Sequence, residues 1–288
     1  MFNMECLLKS LVVSSALALA ACQSASSTTS APAAASVEEC ACIVDTASGS
    51  TLTPAQLIAR IRNASIVIVG EEHTNVRHHQ IEQWLLKNLN QSRPQGSVLL
   101  EMIDISQQDA VNRVKQASAS GTSVSATRAA EAMRWNSGWP WDLYRDLVMT
   151  ALEGPWPLLA ANISRQQVNE LYQRPTFPSG ERSSRPQVHE ALSAIIYLMH
   201  DGKISGEQVT AMMAIQQNRD RFMAQQLIQA PRPALLIAGG YHAAKDTGVP
   251  LHLADLGAEK PRVVMLTTDG NTLTAKQADY IWSVPAAK

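Results

Sequence analysis

Short apolar runs rich in branched residues recur along the chain, and the stretches between them have helical character. The clearest run is Ile66-Val67-Ile68-Val69-Gly70, which lacks the alternation of a half-exposed strand. Such a run is typical of a strand that is buried on both faces of a parallel sheet. The same pattern predicts four further strands, at 97–101, 157–161, 234–239 and 262–266.

Two of the intervening stretches begin with clear helix signals. Thr53-Pro54-Ala55-Gln56 combines an N-cap, a proline at the first helical position and a capping-box glutamine. Ser205-Gly206-Glu207-Gln208 opens a long helix with a second capping box, inside a helical region from about 164 to 230. Helical crossovers between parallel strands are right-handed. We therefore predict an α/β fold, a mostly parallel sheet flanked by helices with a large helical insertion before the fourth strand.

The amino terminus has the pattern of an export signal followed by a flexible tether. Lys9 precedes an apolar run, Leu11 to Ala21, that is too short to span a bilayer. Residues 23–36 are almost wholly Ser, Thr, Ala, Gln and Pro, with too little apolar surface to offset the entropy of ordering. We expect one folded domain of ordinary size, preceded by two short segments. Their expected bounds are 1–21 for the signal, 22–45 for the tether and 46–288 for the domain.

Leu19-Ala20-Ala21-Cys22 resembles the lipobox of bacterial lipoproteins. The resemblance implies that Cys22 receives acyl chains, palmitate among them, and becomes the first residue after cleavage. Acyl chains contribute about 0.8 kcal/mol per buried methylene group, so several of them would hold the protein on a membrane. Gln23 after the cysteine implies, by the same resemblance, transfer to the outer membrane of the bacterial cell envelope. The alternative is an ordinary secretory signal with an incidental cysteine.

Composition narrows the partners of the folded domain. The formal net charge is -1, 17% of the residues are charged and no long basic run occurs, so we expect no nucleic-acid partner. Once Cys6 and Cys22 are set aside, Cys40 and Cys42 remain near the start of the domain. In an oxidising compartment these two would form a local disulfide or recruit another thiol or a metal, and the sequence leaves these alternatives open.

Each of the first four predicted strands is apolar up to its carboxyl end and then runs into polar residues. These residues are Glu71 and His73, Glu101, Asn162 and His242. In a parallel sheet the carboxyl ends of the strands share one edge, and ligands bind outside that edge. We therefore expect the five side chains to share one cleft.

Several sequence blocks resemble, in order, those of the ChaN-type iron-regulated, haem-binding lipoproteins. The first is Gly70-Glu71-Glu72-His73-Thr74-Asn75, followed by His78-His79. The others are Leu100-Glu101-Met102, the tryptophan-rich segment 135–144, Ala161-Asn162, the segment 214–224 and Gly239-Gly240-Tyr241-His242. The resemblance covers about residues 60–245. It implies a membrane-anchored haem-binding protein of haem or iron uptake or trafficking, in which two subunits pair as a homodimer over stacked haems.

The same resemblance implies that a tyrosine holds the ferric iron, and a phenolate is a hard anionic ligand that suits it. We predict Tyr172 or Tyr197 for this role and take Tyr172 as the metal ligand. The alternative for either tyrosine is a core position with a satisfied hydroxyl. Candidate partners for the haem propionates are Arg165, Arg219, His200 and Lys203. The predicted haem pocket comprises Tyr172, Tyr197, Glu71, His73, His242 and Arg219.

The competing hypothesis is a hydrolase. The side chains of Glu71, His73, Glu101 and His242 also suit zinc or another divalent metal, or a histidine base that activates water. The resemblance also implies a wider superfamily with erythromycin esterases and Tiki-type metalloproteases, which reuse the Glu-x-His and the final Gly-x-x-His positions. No His-Glu-x-x-His helix and no Gly-x-Ser-x-Gly elbow occurs, so we favour a haem-binding protein over an enzyme. A third alternative is a pocket that only anchors a partner.

Overall fold

Eight strands form one mixed sheet in the computed structural model, which describes residues 42–269 and 272–286. The strands are β1 (Cys42–Asp45), β2 (Thr51–Leu52), β3 (Ile66–Glu71), β4 (Ser97–Asp104), β5 (Leu158–Asn162), β6 (Ala234–Gly239), β7 (Arg262–Thr268) and β8 (Tyr280–Val284). Their order across the sheet is β2-β1-β8-β7-β3-β6-β4-β5. The five strands predicted from the sequence are β3 to β7, and they are adjacent and mutually parallel.

Helices connect these strands in the described residues. They are α1 (Pro54–Ile61), α2 (Val76–Ser92), α3 (Gln108–Ala119), α4 (Ala126–Ala132), α5 (Trp141–Glu153), α6 (Arg165–Gln173), α7 (Pro186–Met199), α8 (Gly206–Gln229), α9 (Gly240–Ala243) and α10 (Val249–Asp255), with a short 3-10 turn at Ile105–Gln107. Both predicted capping boxes, at Thr53 and at Ser205, are present. The predicted α/β fold with a mostly parallel sheet flanked by helices is confirmed. The helices α6 to α8 follow β5 and precede β6 in the chain.

β3 lies between β7 and β6, and its side chains alternate between two apolar layers. Val67 and Val69 face a layer that includes residues of α1, α2, α3 and α5. Ile66 and Ile68 face the opposite layer, which includes residues of α8 and α10. Because helices cover both faces, the strand is apolar throughout until its final residue, Glu71.

The antiparallel end of the sheet includes a segment that the sequence does not predict to be folded. The segment Cys42–Asp45, placed in the tether by the sequence analysis, is strand β1 and pairs antiparallel with β8. Ile43 is fully buried opposite Trp282. The folded domain therefore starts at least as early as Cys42 rather than at residue 46, because burial of Ile43 against β8 orders this segment.

The expectations for the amino terminus fall largely outside the described residues. The signal at 1–21, Cys22, the tether up to residue 41 and Cys40 all precede them. Cys42 is exposed at the start of β1, and its pairing with Cys40 stays a prediction. In the part of the chain that the structure describes, no helix combines the length and apolar character needed to cross a membrane.

Candidate functional site

The carboxyl ends of β3, β4, β5 and β6 bring the strand-end residues to one edge of the sheet. Glu71 ends β3, Glu101 lies within β4, Asn162 ends β5, and His242 follows β6 in α9. These four residues are buried, whereas the side chain of His73 is 38% exposed. The strand-end side chains therefore gather at one edge of the sheet as a buried polar cluster, and His73 is its exposed member.

Glu71 is held by hydrogen bonds on several sides. Its Oε1 lies 2.7 Å from Nδ1 of His73 and accepts a 2.8 Å hydrogen bond from the Tyr144 hydroxyl. Burial alone would raise the pKa of Glu71, but hydrogen bonds from His73 and His79 outweigh it and lower that pKa to about 2. The ring of Trp139 packs edge-on against His73 at 4.8 Å. Glu71 is thus an ionised, buried carboxylate beneath the partly exposed His73.

His242 lies between two buried carboxylates. Its Nδ1 is 2.6 Å from Oδ1 of Asp220, and its Nε2 is 3.3 Å from Oε1 of Glu101. The other oxygen of Glu101 accepts a 2.7 Å hydrogen bond from the backbone N–H of Gly239. Burial would lower the pKa of His242, but the charges of Glu101 and Asp220 raise it to about 10. The histidine is therefore a buried cation at neutral pH.

Gly239 lies between the Glu71–His73 pair and the Glu101–His242 pair. A Cβ atom at this position would lie 2.7 Å from Nε2 of His73 and 3.5 Å from Oε2 of Glu101. No side chain can occupy that space without displacing the histidine, so only glycine permits this close approach. The imidazole of His73 thereby reaches over the end of β6 towards Glu101.

Three residues of the cluster are absent from the predicted site residues, although two of them, His79 and Asp220, lie in blocks that carry the family resemblance. They are His79 and Glu82 on α2, and Asp220 on α8. His79 Nδ1 lies 2.8 Å from Oε2 of Glu71 and 3.1 Å from Oε2 of Glu82. Residues three apart share one helix face, so the spacing of His79 and Glu82 could have paired them. Which face α2 turns towards β3, however, depends on tertiary packing.

The predicted iron ligands lie away from this cluster, on helices between β5 and β6. Tyr172 on α6 is 44% exposed, and its hydroxyl has one long contact, 3.5 Å to Nε2 of Gln208 at the start of α8. Tyr197 near the end of α7 is 48% exposed, with its ring against Gly202. Along α8, Gln208 and Asp220 are separated by about 18 Å at about 1.5 Å per residue. The structure therefore does not bring the tyrosines together with Glu71, His73 and His242.

The candidate propionate partners differ in whether they already have a hydrogen-bond or ion-pair partner in the structure. Arg219 takes part in no hydrogen bond or ion pair among the described residues, and its Nε is buried without a partner. His200 is engaged through Nδ1 with the carbonyl of Ile196, and Lys203 lies 3.4 Å from Asp201. Arg165 is exposed at the start of α6. Arg219 is thus the cation with the clearest unmet need for an anionic partner.

A groove of about 480 Å³ runs beside α6, and none of the six predicted pocket residues lines it. Its walls are Ile163, Gln167, Glu170, Leu171, Arg174, Thr176 and Asn218. The candidate functional groups thus fall into two separate sets. The sheet edge holds buried acids and imidazoles that suit proton or ion binding. The helices α6 and α7 expose phenols that suit coordination of a ligand from solution.

Comparison with known proteins gives one strong likeness. The family model described as haem-binding uptake, Tiki superfamily, ChaN matches residues 57–253. The solved structure of ChaN of Campylobacter jejuni, described as showing cofacial heme binding, has a TM-score of 0.79 and 26% identity, and the match covers 86% of this chain and 98% of that chain. The erythromycin esterase EreC has a TM-score of 0.43 and 12% identity over 80% of this chain and 78% of that chain, a similarity too low to carry any argument. None of the curated protein sequences matches the chain.

Proposed function

The chain belongs to the ChaN family of haem-binding uptake proteins in the Tiki superfamily, and we propose from this premise that it binds ferric haem. The observation that carries the proposal is the family match over 57–253, which includes both candidate tyrosines and all of the strand-end residues. The similarity to the ChaN of Campylobacter jejuni, which binds heme cofacially, supports the same ligand. The proposed role is uptake or trafficking of haem or its iron.

Tyr172 is the proposed iron ligand, with Tyr197 as the alternative. The hydroxyl of Tyr172 makes only a 3.5 Å contact with Gln208, so it can bind a metal without giving up a strong hydrogen bond. The Tyr197 hydroxyl forms no hydrogen bond among the described residues, and its side chain is equally open. Bound haem supplies a ferric centre for the phenolate and two carboxylates for basic side chains.

The surface around Tyr197 has the mixed character that a macrocycle with charged propionates requires. Leu198 and Met199, which follow Tyr197, are 72% and 61% exposed, and isolated large apolar side chains of this exposure are available to a flat apolar ligand. Elsewhere, on α8, Arg219 is the proposed partner of a propionate, because its buried Nε has no partner among the described residues. Of the three predicted pocket residues at the sheet edge, His73 is the one whose side chain is exposed and can contact a ligand. Glu71 and His242 are buried.

We propose that a second copy of the chain closes the haem surface. Sites for small molecules and cofactors bury most of the ligand, typically about 70–90% of its surface. Tyrosines that are nearly half exposed on one chain leave a bound macrocycle largely in water. A homodimer with the two tyrosine-bearing surfaces facing each other would exclude that water.

A hemin titration tests the proposal. Ferric hemin added to the purified protein at micromolar concentration should give a saturable shift of the Soret band, and light scattering should show the mass doubling as haem binds. Tyr172→Phe removes the phenolate and should abolish the ligand-specific Soret position, since no other atom of that side chain can replace it. Tyr197→Phe tests the alternative ligand, and Tyr241→Phe, which alters a similarly exposed tyrosine next to His242, is the matched control. A spectrum unchanged in both Tyr172→Phe and Tyr197→Phe would refute the ligand assignment, and no Soret shift at all would refute haem binding.

The gathering of Glu71, His73, Glu101 and His242 keeps a hydrolase as the second candidate function. His73 is the exposed member, and its Nδ1 lies 2.7 Å from the ionised carboxylate of Glu71, an arrangement that suits a histidine base. Turnover of a chromogenic ester that disappears in His73→Asn, together with the absence of haem binding, would favour this function over the first.

A further inference from the structure

The contact between α2 and the end of β3 encloses three buried side chains with metal-binding atoms. Glu71, His79 and Glu82 each offer one ligand atom, and these atoms all lie within 4.8 Å of one another. The imidazole Nδ1 of His79 is central, at 2.8 Å from Glu71 Oε2 and 3.1 Å from Glu82 Oε2. Tetrahedral coordination at about 2.0–2.1 Å from an ion places donors about 3.3 Å apart, which is close to both distances from His79 Nδ1.

Unsatisfied oxygens point to a missing partner at this place. Glu82 is completely buried, and its Oε1 accepts no hydrogen bond from any described residue. Glu71 Oε2 likewise has no well-aligned hydrogen bond, only the ion-pair contact with His79. Buried carboxylate oxygens without partners are costly and rare in folded proteins. A cation bound by both oxygens of the Glu82 carboxylate would give Oε1 a partner, while Oε2 faces His79.

Neighbouring groups hold the three donors in the orientation that a metal requires. The Nε2 of His79 lies 3.1 Å from the backbone carbonyl of His73 and donates to it, which leaves Nδ1 directed at the two carboxylates. The Tyr144 hydroxyl donates to Oε1 of Glu71, which leaves Oε2 facing His79. Support of a ligating imidazole by a carbonyl, and of a ligating carboxylate by a hydroxyl, is the usual outer shell of protein metal sites.

We propose that Glu71, His79 and Glu82 form a binding site for a divalent metal ion of the zinc class. One imidazole and two carboxylates match the nitrogen and oxygen donors that zinc takes, and its double charge balances two buried acids. The ion ties the first turns of α2 to the end of β3 beneath His73. This site is separate from the tyrosine-bearing surface and does not depend on haem. Since His73 is the exposed neighbour of Glu71, the ion enters past it.

The sharpest variant is Glu82→Gln. Glutamine matches glutamate in size and shape, so it preserves the packing of this fully buried position while it removes the carboxylate. The variant should therefore melt at the wild-type temperature in the presence of a chelator. Glutamine is a poor zinc ligand, so the rise in melting temperature that zinc gives the wild type should be lost.

Zinc chloride titrated into chelator-treated protein, against a chromophoric zinc indicator, measures the site directly. The wild type should bind one equivalent, and both His79→Gln and Glu82→Gln should weaken binding at least ten-fold. His78→Gln is the matched control, because His78 is equally buried on α2 but bonds to the backbone of Glu72. Absence of saturable zinc binding by the wild type would overturn the proposal, as would unchanged affinity in Glu82→Gln or an equal loss in His78→Gln. If His79→Gln does not fold, Glu82→Gln decides alone.

Discussion

His252 on α10 is a fully buried histidine that makes the stability of the fold depend on pH. Its Nδ1 accepts a 3.2 Å hydrogen bond from Nε of Arg221 on α8. Asp255 on its own helix and His242 on α9 are the other charged groups near it. Burial, and then the charge of Arg221, lower the pKa of His252 to about 4. The imidazole is therefore neutral in the folded protein over most of the pH range.

We predict that this histidine destabilises the protein as the pH falls from about 6.5 to about 4. In this window the unfolded chain binds a proton at His252 and the folded chain does not, so the free energy of unfolding rises with pH. The full effect is about 3 kcal/mol, since one pKa unit corresponds to about 1.4 kcal/mol. Urea unfolding at several pH values should show a shallower pH dependence for His252→Gln than for the wild type. The same slope in His252→Gln and in the control His200→Gln would contradict the prediction.

Site residues at or just after strand ends could be predicted from the sequence, whereas those inside the long helices could not. Glu71 and Asn162 end apolar runs, and the rule that parallel strands share a carboxyl edge places them without further knowledge. His79 and Asp220 lie in helices whose contact with the sheet is fixed by packing of many other side chains. Local sequence pattern does not predict where these two residues lie, nor how deeply the strand-end residues are buried.

The end of α5 depends on a lysine from another helix. Lys115 on α3 donates hydrogen bonds from Nζ to the carbonyls of Ala151, Leu152 and Gly154, at 3.2, 3.1 and 2.7 Å. These carbonyls belong to the last turn of α5 and the residue that follows it, where the helix itself supplies no donors. A cation at this end also opposes the negative pole of the helix.

Replacement of this cap should lower stability without changing the fold. Lys115→Met keeps the aliphatic stem and removes the charge and the three hydrogen bonds, so we expect a loss of about 1–2 kcal/mol in the free energy of unfolding. Arg113→Met, at an exposed position of the same helix, is the control and should stay within about 0.5 kcal/mol of the wild type. Chemical denaturation followed by circular dichroism measures both. Equal effects of the two substitutions would show that the cap contributes nothing.

The elements that the sequence analysis misses are those at the antiparallel edge of the sheet. β1 has four residues, of which Ile43 alone is fully buried, and it pairs with β8 more than 230 positions later. A turn signal, Ser48-Gly49-Ser50, follows the strand, but no long apolar run marks the strand itself. The central strands were predictable because burial on both faces requires a continuous apolar run. The partly exposed strand β1 has no such requirement.

For the whole molecule, the proposed lipid anchor at Cys22 makes a simple prediction. Cys22→Ala removes the acceptor of the acyl chains, so the protein should move from the membrane fraction to the soluble fraction of expressing cells. Mass spectrometry of the amino-terminal peptide should find acyl groups on the wild type and none on the variant. Cys42→Ala, an exposed cysteine in the folded domain, should leave the distribution unchanged. Retention of the Cys22 variant in the membrane would contradict the anchor.

In the sheet, β1 lies far from the strand that precedes the tyrosine-bearing helices. β1 is six strands away from β5, the edge strand after which the tyrosine-bearing helices begin, and six steps of about 4.8 Å amount to about 29 Å. A segment attached at the start of β1 therefore joins the sheet far from the rim where the tyrosine-bearing helices begin. The proposed anchor and the proposed homodimer contact thus use different rims of the sheet.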